Sequence, residues 1–183
     1  VNARDRYEAL KRLADANPDI FSVVFCRTKR DTQQVAEKLI EDGYNAAALH
    51  GDLSQAQRDS VMKSFRGRQI QMLVATDVAA RGIDVDNITH VVNYQLPDEI
   101  ETYNHRSGRT GRAGTKGLAI SLVSKEENKL LVGVEKLLKA KIKIEEIKGF
   151  ELKSVQSRIL DNDVSVDEKR PRRNALSVQN KKA

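Results

Sequence analysis

The sequence predicts an α/β fold: a doubly wound parallel sheet with helices on both faces. Two observations carry this. Short, apolar, β-branched runs alternate with segments whose apolar residues recur at helical spacing. The junctions between them hold helix-start signatures, glycine stops and a proline break. At 183 residues, with 39% hydrophobic side chains, the chain has material for one core of ordinary domain size.

Taken in order, residues 3–16 place Tyr7, Leu10, Leu13 and Ala14 on one helical face, and Asn17-Pro18-Asp19 breaks that helix. Residues 20–26 are almost wholly apolar, the pattern of a strand covered on both faces. Helical periodicity returns over 28–42 through Val35, Ala36, Leu39 and Ile40, with Gly43 as its stop. Residues 45–50 read as a second strand that ends in the loop His50-Gly51-Asp52. Ser54 and Gln57 have the spacing of a capping box and open a helix with Val61, Met62 and Phe65 inward and Gly67 as its end. Residues 70–76 and 88–94 are the third and fourth strands. Asp98 and Glu101, just after Pro97, are spaced as another capping box for the helix that carries His105. The run 118–123 is a buried-type fifth strand. Ser124 and Glu127 cap a last helix with the core stripe Leu130, Leu131, Val134, Leu137 and Leu138.

Beyond Gly149 the pattern degrades. Residues 151–183 hold eight Lys or Arg against five Asp or Glu, and include Lys169-Arg170-Pro171-Arg172-Arg173. Too little apolar surface remains there to fold independently. The expected organisation is therefore a domain over 1–149 and a basic, mobile C-terminal extension over 150–183.

In such sheets ligands bind outside the carboxyl ends of the strands. Arg27-Thr28, His50-Gly51, Thr76-Asp77 and Asn93-Tyr94 all fall at that edge. Composition narrows the ligand class. The formal net charge is +6 and the isoelectric point about 9.4, which favours a polyanion such as nucleic acid. Cys26 is the only cysteine, so no internal disulfide can form, and a reducing, cytoplasmic setting is expected. No signal peptide or bilayer-spanning run occurs, and no membrane role is expected. His50, His90 and His105 are scattered, so no metal site is expected. No Ser-His-Asp constellation can be placed. The chain begins at Val1, as an excerpt from a longer protein would.

Two stretches carry chemistry. In His105-Arg106-Ser107-Gly108-Arg109-Thr110-Gly111-Arg112-Ala113-Gly114, three Arg-x-Gly triplets follow one another. Arginine brings a permanent charge and a donor fork matched to phosphate, and glycine lets the backbone approach a ligand. A solvated basic face or a disordered Arg-Gly segment are the alternatives. The helical lead-in through Ile100 and Tyr103, and the strand that follows, favour an ordered phosphate site. In Val74-Ala75-Thr76-Asp77-Val78-Ala79-Ala80-Arg81-Gly82-Ile83-Asp84-Val85, a strand runs into a hydroxyl, a cation, a glycine and an acid. Thr76 can donate to phosphate, Asp84 can accept from sugar hydroxyls, and Gly82 permits close approach. The competing assignment makes Asp77 a helix cap and Asp84 a turn residue.

Together these stretches resemble motifs V and VI of DEAD-box RNA helicases. Ser22-Val23-Val24-Phe25-Cys26-Arg27-Thr28-Lys29 resembles motif IV, and Leu49-His50-Gly51-Asp52 through Gln55-Ala56-Gln57-Arg58 resembles the His-Gly and Gln-x-x-Arg elements that follow it. The matches keep the family order over roughly 1–148. The resemblance implies a RecA-like domain, the second of two in a helicase core. It implies arginine fingers at Arg109 and Arg112 that reach the ATP γ-phosphate, ribose contact at Asp84 beside Gly82, and an interdomain-facing set of Arg81, His105 and Arg106. It further implies an RNA-backbone track of Thr28, Gly51, Gln55, Arg58 and Thr76. Ser107 stands where an aliphatic residue is commoner, and Ala113 where some relatives carry an aromatic.

Neither a Gly-x-x-x-x-Gly-Lys-Ser/Thr loop nor an Asp-Glu-Ala-Asp sequence occurs. The expectation is half an enzyme, whose ATP and Mg²⁺ are held mainly by an N-terminal RecA-like partner domain. An RNA-binding module without ATPase activity is the alternative. A DNA helicase or translocase domain is a third reading, less close to the two motifs. The RNA substrate, the oligomeric state and the regulatory partners leave no mark in the sequence.

Overall fold

Five parallel strands form one sheet in the order β2-β3-β1-β4-β5. The structure is a computed structural model and describes residues 1–111, 114 and 116–145. The tail expected over 150–183, Arg112 and Ala113 lie outside the described residues. In chain order the elements are α1 (Arg6–Ala16, after a 3₁₀ turn at Ala3–Asp5), β1 (Ser22–Phe25), α2 (Lys29–Glu41), β2 (Ala46–Leu49) and α3 (Gln55–Arg66). Then come β3 (Met72–Ala75), α4 (Asp77–Ala80), β4 (His90–Asn93), α5 (Ile100–Ser107), β5 (Leu118–Ser121), a 3₁₀ turn (Lys125–Glu127) and α6 (Asn128–Leu138).

Two apolar clusters lie on opposite faces of the sheet, because side chains alternate along each strand. Val24, Met72, Val74 and Val92 pack with Leu10 and Leu13 of α1 and with Val35 and Leu39 of α2. Val23, Leu73 and Val91 pack on the other face with Phe21 and with Phe65 of α3. Phe21 and Phe65 stack with ring centroids 4.5 Å apart. β1, β3 and β4 are buried along their whole length, as strands covered on both faces must be.

The local signatures fare unequally. Ser54 and Gln57 close a complete capping box, and so do Ser124 and Glu127. The box expected at Asp98 and Glu101 does not form. α5 begins at Ile100 with Glu99 as a cap that makes no side-chain bond, and Asp98 instead pairs with Arg27 at 3.4 Å. The expectation of a buried fifth strand is corrected too. β5 borders only β4, and Leu118 is 57% exposed. In α6 Val134 is buried, while Leu137 and Leu138 face outward.

A buried carboxylate joins the beginning and end of the described domain. Glu127 pairs with Arg6 of α1 and with Arg27 at 2.9 Å. It also accepts the Leu96 amide at 3.1 Å and its own cap's amide, Ser124, at 3.0 Å. Every oxygen is engaged, which is the condition for keeping a charged group in a core.

Candidate active edge at the strand carboxyl ends

The register puts the ends of β2, β3, β1 and β4 level: Leu49 pairs with Ala75, Ala75 with Phe25, and Phe25 with Asn93. The residues that follow therefore stand in a row along one rim, at strand spacings of about 4.8 Å. Gly51, Thr76 and Thr28 come from three adjacent strands of that row. Three helices start there, and each start is capped by a hydroxyl. Thr28 Oγ1 accepts from the Asp31 amide at 3.0 Å, Ser54 Oγ from Gln57 at 3.2 Å and Thr76 Oγ1 from Ala79 at 3.3 Å. Helix N-termini present backbone N–H groups and the positive end of the helix dipole, so the rim suits anions.

The five residues expected along an RNA track differ in access. Thr28, Gly51 and Gln55 are exposed, Arg58 is half-buried and Thr76 is buried. Gln55 donates to Asp59 at 2.8 Å, and Arg58 reaches the Ala79 carbonyl at 3.4 Å. Asp77 is not a cap; that role belongs to Thr76. The helix α4 has only four residues, too few to show periodicity in the sequence.

The two Arg- and Gly-bearing stretches are brought together. Arg106 Nε and Nη2 grip Asp77 Oδ1 and Oδ2, each at 2.6 Å, in a bidentate pair. Arg106 Nη1 donates to Asn93 Oδ1 at 2.9 Å and to the Gln95 carbonyl at 2.7 Å. Its guanidinium lies 5.0 Å from the Phe25 ring centroid. At 1% exposure, Arg106 is among the most buried large side chains. The expectation that it faces an interdomain cleft is therefore corrected: its fork is spent within the domain, joining α5 to α4. His105 and Arg81, by contrast, are exposed.

Arg109 is half-buried and donates from Nη1 to the Ile83 carbonyl at 2.8 Å. That bond sets it against the Gly82-Ile83-Asp84 turn, where Asp84 is exposed. Gly82 has φ +80°, a region L side chains resist, and a Cβ there would meet no heavy atom within 4 Å. The turn thus needs glycine for its backbone, and the space above it is open. Thr110 donates to the Ile88 carbonyl and fixes the loop after α5. Ser107, noted above as unusual, has a buried hydroxyl with no hydrogen-bond partner among the described residues.

The capped helix starts and the open Gly82 turn suit an anion, with Asp84 beside them as an acceptor for hydroxyls. Among the described residues no group of three or more His, Cys, Asp or Glu is placed to hold a metal ion. Burial pushes the Cys26 thiol up to about 12, so it stays a protonated core group rather than a nucleophile. Among the described residues no helix is long and apolar enough to cross a membrane.

Residues 5–114 match the family described as the helicase conserved C-terminal domain. A probable ATP-dependent RNA helicase of Methanocaldococcus jannaschii is 50% identical over 143 residues, covering 78% of this chain and 39% of that protein. The crystal structure of a DEAD box protein from Methanococcus jannaschii superposes with a TM-score of 0.74 at 49% identity, covering 80% of this chain and 40% of that one. Dbp5 of S. cerevisiae, solved bound to RNA and ADP BeF3, gives 0.71 at 35% identity over 77% of this chain and 39% of that one. The chain thus spans well under half the length of these relatives.

Proposed function

This chain belongs to the helicase conserved C-terminal domain family, as the C-terminal domain of a DEAD-box RNA helicase, and from that membership we propose that it completes an ATPase and RNA-gripping site formed with an N-terminal RecA-like domain of its parent protein. The relatives named as ATP-dependent RNA helicases support ATP use by the whole protein. The observation that carries the residue assignment is the bond from Arg109 to the Ile83 carbonyl, which sets a guanidinium against the open Gly82 turn and its neighbour Asp84.

In this reading Arg109 and Arg112 stabilise charge on the transferring phosphoryl group, and Asp84 accepts from the ribose hydroxyls. Phosphoryl transfer depends mostly on positioning and on neutralising charge, so a fixed guanidinium suits the task. Arg106 holds α5 against α4 from beneath and is a positioning residue. Arg81 and His105 are the exposed groups facing the partner domain. ATP and Mg²⁺ are held mainly by that other domain. RNA lies along the rim, its backbone contacted by Thr28, Gly51, Gln55 and Arg58, with Thr76 supporting from below. Contacts of this kind position a strand without reading its bases.

The test uses the full-length parent protein. Arg109→Lys keeps the charge and removes the fork, and an arginine finger is worth about 10³ to 10⁵ in rate. RNA-stimulated kcat should fall by at least about 10² on that scale, with an unchanged circular dichroism spectrum. An Arg109→Lys enzyme turning over ATP at the parental rate would refute the assignment.

A further inference from the structure

The turn that presents Gly51 is braced by a relay running through one histidine. His50 is only 7% exposed, so its ring nitrogens depend on protein partners. Nε2 lies 2.9 Å from Gln33 Oε1 on α2, and Nδ1 lies 3.3 Å from the Asp52 amide nitrogen. Gln33 turns its own Nε2 to Glu37 Oε1 at 2.7 Å. An ionised carboxylate can only accept, so the NH₂ of Gln33 faces Glu37 and its oxygen faces His50. His50 Nε2 is then the donor. At the other end the Asp52 N–H needs an acceptor, so Nδ1 carries no proton. Both ends of the relay require the same neutral tautomer.

The relay also reaches Gly51 from above. The Asp52 carboxylate takes the Lys29 ammonium, and the Lys29 stem lies over the turn, its Cδ 3.9 Å from where a Gly51 Cβ would stand. Lys29, Gln33 and Glu37 share one face of α2. The charged groups linked to the ring through these bonds are Lys29 and Glu37 on α2 and Asp52 on the turn itself.

We propose that His50 is a positioning residue for RNA: in its neutral, Nε2-protonated form it holds the Gly51 turn level with Thr76 and Thr28, and a second proton at Nδ1 releases that turn. Protonated Nδ1 becomes a donor facing the Asp52 N–H, so one bond of the brace is lost and two donors oppose each other. The proposal rests on the RNA-track reading above.

The experiment uses the intact chain. It has three histidines, so imidazole ¹⁵N signals can be assigned by single substitutions, and His50 should show the Nε2–H tautomer at pH 8. Binding of a fluorescent single-stranded oligouridylate is then followed from pH 8 to 5.5 at constant ionic strength. The parent should lose about fivefold to tenfold in affinity, the scale of one net hydrogen bond, along the His50 titration seen by NMR. His50→Asn offers a non-titrating acceptor at the Nδ1 position, so it should keep the alkaline affinity throughout. His50→Ala should bind weakly at every pH. An Nδ1–H tautomer at pH 8, or the same pH profile for parent and His50→Asn, would overturn the proposal while leaving the track intact. No RNA binding at any pH would overturn the track reading and the proposal with it.

Discussion

Replacing Arg106 by alanine should weaken the domain more than any other single truncation at the active edge. The side chain is 1% exposed and makes four hydrogen bonds, two of them to Asp77. Its removal strands Asn93 Oδ1, on a fully buried residue, and the Gln95 carbonyl. Each orphaned buried acceptor costs about 1–3 kcal/mol. Asp77 suffers less, because a third of its side chain is exposed and water can replace the fork. The guanidinium also leaves a gap beside Phe25. The expected loss is about 3–5 kcal/mol, the range seen when a buried pair is broken, against a total of about 5–15 kcal/mol for a natural domain. Asp77→Asn leaves the cation partnered by an amide and partly screened, and should cost less. Urea denaturation of the parent, both single variants and the double variant would measure the coupling, expected at about 1–3 kcal/mol. Arg106→Lys should rescue little, since a point charge cannot reach Asp77, Asn93 and Gln95 together. A loss below about 1 kcal/mol for Arg106→Ala, or strictly additive singles, would refute this account of how α4 and α5 are joined.

Three further outcomes are expected. Burial holds the His90 imidazole below its ordinary value, and its Nε2 has no partner among the described residues. Its stabilising contribution is therefore complete above the unfolded value of about 6.5 and is lost as pH falls through that value towards the lower folded one. The urea midpoint should drop on acidification, and less so in His90→Gln; equal drops would argue against this origin. Ser107→Ala removes a buried hydroxyl without a partner among the described residues, so it should be neutral or stabilising by up to about 1 kcal/mol, and a clear loss in thermal unfolding would argue against this. RNA affinity of the intact chain should fall with salt through counterion release and vary little among single strands of equal length. Strong preference for one sequence at matched salt would contradict backbone gripping.

The signals legible in the sequence were those that act over short distances. The boxes at Ser54–Gln57 and Ser124–Glu127 are built from residues three apart, and both form, although the second opens the 3₁₀ turn Lys125–Glu127 rather than α6 itself. The Asp98–Glu101 pair has the same spacing and fails, because Arg27 draws Asp98 from a distant strand end. Strand alternation was enough to place Thr28, Gly51 and Thr76 on one rim, since topology alone decides that. It could not separate the arginines after Tyr103. Arg106 and Arg109 sit in the same kind of triplet, yet one is the best buried cation among the described residues and the other lies beside an open turn. The difference lies in Asp77, which is 29 positions away from Arg106 and which the sequence offered only as a cap. β5 read as buried because its composition matches β1, whereas exposure depends on its place at the sheet margin.

The Glu127 carboxylate has a consequence on the ribosome. Arg6 and Glu127 are 121 positions apart, so at a synthesis rate of about 5–20 residues per second Arg6 emerges about 6 to 24 s before its partner exists. Once β3 has been made within that interval, α1 can pack on β1 and β3, but Arg6 and Arg27 still await their shared anion. β5 and α6 arrive last, and the same carboxylate that completes them also secures the first helix. The nascent chain therefore stays open at the β4 margin until β5 is made, and that unpaired edge is available to a chaperone or to another unfinished copy.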